Sequence, residues 1–74
     1  MIFARLHFGN EKLVFGQNDR DNHYYLSLTR EIPEGKEYVF YEVHVDFNKL
    51  RMMFEDKAKQ MMDTRTNLEL QTKV

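Results

Sequence analysis

Cysteine is absent from the 74 residues. Disulfides therefore cannot hold this small fold together, and the zinc frameworks built on cysteine pairs are excluded. The absence also narrows the candidate nucleophiles to Ser27 and several threonines. Ser27 sits in a strand-like stretch with no glycine-rich turn of the kind that exposes a catalytic serine. A reducing, intracellular setting is the expectation. Long apolar runs are missing as well. The N-terminal stretch MIFARLHFGN is interrupted by Arg5 and His7 and is too short and too polar for a signal peptide or a membrane span. The chain is accordingly expected to be soluble and cytoplasmic, without a membrane partner. Neither sign of charge dominates: 11 Lys and Arg stand against 12 Asp and Glu, a net charge of −1, which supplies no general attraction for nucleic acid. The first 47 residues are net acidic and residues 48–65 net basic, a pattern usual for a solvated helical face.

The length implies one domain spanning residues 1–74. A chain this short buries only about 60 % of the surface its unfolded form exposes, so its stability margin is thin and a second core is excluded. What the chain does have is aromatic and β-branched density. Tyr38 to Phe47, YVFYEVHVDF, contains no Gly or Pro and reads as a long strand. Alternation assigns Val39, Tyr41, Val43, Val45 and Phe47 to the core face, and Tyr38, Phe40, Glu42, His44 and Asp46 to the other.

Upstream, Ile2 to Phe8 alternates and is followed by Gly9-Asn10, a two-residue loop suited to the primed turns that match strand twist. That loop sets Leu6 opposite Leu13, Ala4 opposite Phe15 and Arg5 opposite Val14. Ile2, Ala4, Leu6, Phe8, Leu13 and Phe15 then share an apolar face, and Phe3, Arg5, His7, Lys12 and Val14 the other. Gly16 to His23, GQNDRDNH, reads as an exposed loop. Its Asn and Asp oxygens lack the central Gly and terminal Glu of a calcium loop, so no metal is expected there. Tyr24 to Arg30 is a third strand, joined to the long one through Ile32-Pro33-Glu34-Gly35-Lys36. Hydrophobic matching favours the register that pairs Leu28 with Tyr41, Leu26 with Val43 and Tyr24 with Val45, leaving Tyr25 opposite His44 and Ser27 opposite Glu42 on the outer face.

From Asn48 to about Asp63 the period changes to that of a helix. Leu50, Met53, Phe54, Ala58 and Met61 form one stripe, Lys57 lies within it and snorkels, and Asn48 or Asp46 is placed to cap the start. The tail LELQTKV alternates and is expected to add a short terminal strand, either to the same sheet or to a second subunit.

The predicted architecture is α+β, in the order ββββαβ: an antiparallel sheet of two β-hairpins with one helix on a single face. One helix covers only one side, so the other is expected to present Phe3, Arg5, His7, Tyr25, Tyr38, Phe40, Glu42 and His44 to a partner. Exposed aromatics together with Arg favour a contact surface over a solvated one. The function expected is that of a non-enzymatic protein-binding module, a regulator, inhibitor or subunit, acting on another protein or as a homodimer through this face, with no cofactor. Two alternatives carry less. The first is stacking of single-stranded nucleic acid on the aromatics beside Arg5 and Lys12. The second is a small hydrolase or metal site built from His7, His44 and Glu42, which requires the first and fourth strands to be neighbours.

Overall fold

A computed structural model describes the backbone of residues 1–72 and the side chains of residues 1–63. Four strands, β1 (Ile2–Phe8), β2 (Glu11–Gln17), β3 (Tyr24–Ile32) and β4 (Gly35–His44), are followed by a helix, α1 (Phe47–Thr72). The strands form one open antiparallel sheet in the order β1-β2-β3-β4, and α1 lies across one face, chiefly over β2 and β3. The α+β class and the one-sided helical cover agree with the pattern in the sequence. The short terminal strand expected over the tail is not among the described elements. The helix continues to Thr72, with no Gly or Pro after Asp63 to stop it, and residues 73–74 lie outside the described residues.

The core is small and central. Leu13, Phe15, Leu26, Leu28 and Leu50 are buried, and Ala4, Leu6, Tyr24, Phe40, Met53, Phe54, Ala58 and Met61 pack around them. The helical stripe predicted from spacing is thus the packed one, and Leu50, at 0 % exposure, is its anchor. Asp46 caps the helix, its carboxylate accepting from the backbone N–H groups of Asn48 and Lys49. Lys57 lies in the stripe as expected, with its ammonium 4.6 Å from the centre of the Phe40 ring, where the ring's negative face stabilises it.

The β1–β2 hairpin has the expected register, with Leu6 opposite Leu13, Ala4 opposite Phe15 and Arg5 opposite Val14, closed by Gly9 at φ 56°. The β3–β4 hairpin does not. Its connection is the two-residue pair Pro33-Glu34, with Ile32 opposite Gly35, and a bulge at Val39 shifts the register once. Leu28 therefore faces Phe40, Leu26 faces Glu42 and Tyr24 faces His44. From Phe40 onward the two faces of β4 are exchanged relative to expectation: Phe40, Glu42 and His44 lie on the helix side, while Tyr41 and Val43 point away from it. Hydrophobic matching misled here because β4 is an edge strand, and α1 sits mainly over β2 and β3. The bulge at Val39 decided instead: the turn and the pairs beside it keep the expected facing as far as Tyr38, and the extra residue reverses it from Phe40 onward. This register sets Glu31 opposite Lys36 and lets Arg30 bridge Glu37 and Glu11 at 3.3 and 3.0 Å.

Two local corrections follow. Gly16 belongs to β2 and is buried, so the exposed loop begins only after Gln17. A bulge between Ile2 and Ala4 swings Phe3 to the helix side. There its ring centre lies 5.5 Å from that of Phe15, 6.1 Å from Tyr24 and 5.7 Å from Phe47.

Candidate interaction face

The eight residues expected to share the uncovered face divide between the two sides. Arg5, His7, Tyr25 and Tyr38 are on the outer face. Phe3 belongs to the aromatic cluster at the start of α1, Phe40 packs on the core beneath Lys57, and Glu42 and His44 join each other on the helix side. The patch expected from Phe3, Tyr25 and Phe40 does not exist, because Tyr25 is separated from the other two by the sheet itself. Ser27 faces Tyr41, not Glu42.

What lies on the outer face follows from the register, row by row. Gly16, Tyr25 and Val43 are neighbours across β2, β3 and β4. Arg5, Val14, Ser27 and Tyr41 form the next row, then His7, Lys12, Thr29 and Tyr38, and Glu31 faces Lys36 near the turn. The centre is small or β-branched and the periphery long. Tyr38 is 70 % exposed and Tyr41 55 %. Gly16 has a specific reason to lack a side chain: a Cβ there would stand 2.6 Å from the Tyr25 hydroxyl, so the Tyr25 ring lies over β2. Tyr41 stacks on Tyr25 with ring centres 6.4 Å apart and planes 23° from parallel. The two rings therefore hold each other in place, as an offset pair does.

Tyr41 and Val43 are the face residues that sequence reasoning assigned to the core. The two-residue turn alone would carry Tyr41 and Val43 to the helix side; the bulge at Val39 turns them outward, and no Gly or Pro between Tyr38 and Phe47 marks it in the sequence. Charge is also divided between the faces. The strand carboxylates Glu11, Glu37 and Glu42 lie on the helix side, and on the outer face Glu31 is offset by the Lys36 opposite it. The remaining outer-face cations, Arg5 and Lys12, flank His7.

The edges are less available than the face. β1 and β4 are the outer strands, and each carries a bulge. Such irregularities twist an edge away from pairing with another chain.

No metal or hydrolytic site assembles from His7, His44 and Glu42. The two histidines sit on opposite edge strands and opposite faces, and among the described residues no three His, Asp or Glu side chains are grouped to hold a metal ion. The contact between His44 Nε2 and Glu42 Oε1, at 2.5 Å, joins two residues of one strand, each about a third exposed. An open groove of about 460 Å³ lies on the helix side between the β1–β2 turn and α1. Phe8, Asn10, Glu11, Arg30, Lys57 and Met61 are among its lining residues. Its cations are already engaged, Arg30 with two carboxylates and Lys57 with Phe40. No helix among the described residues is long and apolar enough to cross a membrane. Compared with known proteins, the chain matches no family model, no curated protein and no solved structure.

Proposed function

We propose that the chain is a non-enzymatic protein-binding module whose docking surface is the outer face of the sheet. The observation that carries the reading is that face itself. It has no covering element among the described residues, and it displays three tyrosines and Val43 around a centre of small side chains. Contact surfaces are enriched in tyrosine and arginine, and tyrosine buries large area at low entropic cost. The residues of the reading are Tyr25, Tyr38, Tyr41, Val43, Val14, Arg5, His7 and Lys12.

The test is site-specific photocrosslinking in cells. Tyr41 is replaced by benzoylphenylalanine, with the same substitution at Lys59, an exposed helical position, as the control. The expected result is a protein adduct from position 41 and none from position 59. The purified partner should then bind the wild-type chain and lose binding to the Tyr38→Ser/Tyr41→Ser variant, which still melts cooperatively, a few degrees lower through loss of the stack on Tyr25. The absence of an adduct from position 41, or equal adducts from both positions, refutes the reading.

A further inference from the structure

We infer that the segment this face accepts is an extended, acidic stretch of polypeptide. The inference rests on the docking reading above and adds the chemistry of the partner. Outside the mutually opposed Glu31 and Lys36, the described charges of the outer face are Arg5 and Lys12, with His7 between them on the β1 side of the sheet. They line one flank of the face. Tyr41 and Tyr38 line the other, Val14, Ser27 and Thr29 lie between the flanks, and the Tyr25 ring, laid over β2 at Gly16, bounds one end.

A chain laid along that strip meets small side chains beneath it, cations on one side and ring faces on the other. Carboxylates on its first side are attracted to Arg5 and Lys12, and apolar or aromatic side chains on its second bury against the stacked tyrosines. An extended peptide supplies this alternation, because successive side chains point to opposite sides. A second copy of this chain fits less well. Two such faces related by a two-fold axis meet flank on flank with their small centres opposed, and with the axis across the strands the cations of β1 face those of the other copy. Nucleic acid is favoured less again. A duplex or single strand gains affinity by neutralising many phosphates, whereas two permanent cations on a chain of net charge −1 offer few.

The experiment pans a library of displayed random peptides against the immobilised full chain, with three variants in parallel: Arg5→Glu/Lys12→Glu, Tyr41→Ser and Tyr38→Ser. A single-stranded oligo-dT and the sedimentation of the free chain serve as comparisons. All variants are first checked by thermal melting; the charge reversals and Tyr38→Ser are expected to leave stability nearly unchanged, and Tyr41→Ser to lower Tm by a few degrees through loss of its stack on Tyr25. The expected result is enrichment of peptides rich in Asp and Glu. Their binding weakens as ionic strength rises, falls about tenfold or more on reversal of both charges, and falls again with Tyr41→Ser. Neutral or basic peptides that depend on Tyr41 but not on Arg5 and Lys12 overturn the acidic partner and leave the docking reading standing. A self-associating chain whose dimer is lost in Tyr41→Ser likewise overturns the acidic partner alone. Oligo-dT retained through this face without any peptide, or no ligand retained through it at all, overturns both.

Discussion

Replacing Gly16 with alanine probes the arrangement of the outer face directly. The new Cβ would stand 2.6 Å from the Met1 carbonyl oxygen, 2.6 Å from the Tyr25 hydroxyl and 2.7 Å from the Tyr25 ring carbon that bears it. Carbon contacts are comfortable only at about 3.5–4.0 Å, so both neighbours must move. Tyr25, swinging away, gives up its stack on Tyr41, worth about 0.5–1.5 kcal/mol. As Met1 moves, two hydrogen bonds at the end of β1 are strained. These are the Gln17 N–H donating to the Met1 carbonyl and the terminal ammonium donating to the Gln17 carbonyl, both at 2.8 Å, each contributing about 1 kcal/mol net. Alanine returns about 0.5–1 kcal/mol, because glycine loses more chain entropy on folding into a strand.

The net expectation is destabilisation by about 1–2 kcal/mol, within the range for inserting atoms where space is lacking. For a domain of this size that corresponds to a fall in Tm of about 5–15 °C, read by circular dichroism. A double-mutant cycle with Tyr25→Ser isolates the ring's share: the double variant should lose less than the sum of the singles, by about 0.5 kcal/mol or more. An unchanged or raised Tm for Gly16→Ala, with no coupling to Tyr25, would refute the placement of the ring over β2 and undermine the outer face built on it.

Two further variants test the register and the helix anchor. Phe40→Ser removes a ring that packs on the core beneath Lys57 and is expected to cost about 2 kcal/mol. Tyr38→Ser, at a position 70 % exposed, should fall within about 0.5 kcal/mol of wild type in urea denaturation; an equally small cost for Phe40→Ser would restore the facing of β4 expected from alternation. Leu50→Ala empties the only fully buried position among the described helical side chains. It should cost about 2–5 kcal/mol, a large share of the total stability of so small a domain. Loss of both helical signal and cooperativity at room temperature is expected in circular dichroism, and a melting curve like that of wild type would show that α1 is held elsewhere.

Much of the fold was legible in the residues before any coordinates. The alternation of Ile2 to Phe8, the Gly9-Asn10 turn and the register from Ala4 opposite Phe15 to Leu6 opposite Leu13 all follow from period and turn length, because a slip of one residue would turn an apolar set to water. The helical stripe from Leu50 to Met61 and the Asp46 cap follow from the change of period and from the unpaired N–H groups every helix start must satisfy. The site was less legible. Arg5, His7, Tyr25 and Tyr38 were placed on the outer face correctly, while Phe3, Phe40, Glu42 and His44 were not.

Which way β4 faces, and where Phe3 goes, only the assembled structure decided. In β4 both sets of alternating side chains are aromatic or aliphatic enough to face inward, so period alone has two solutions. The choice fell to the single bulge at Val39, because the two-residue turn and the Arg30–Glu37 pair by themselves would carry Tyr41 and Val43 to the helix side. Phe3 likewise left its alternation through a bulge, to join rings brought to it by β2, β3 and the start of α1. Local pattern determines the elements because each must hide one side. At an edge the helix covers only in part, that requirement weakens, and tertiary contacts choose which side is hidden and which is left open.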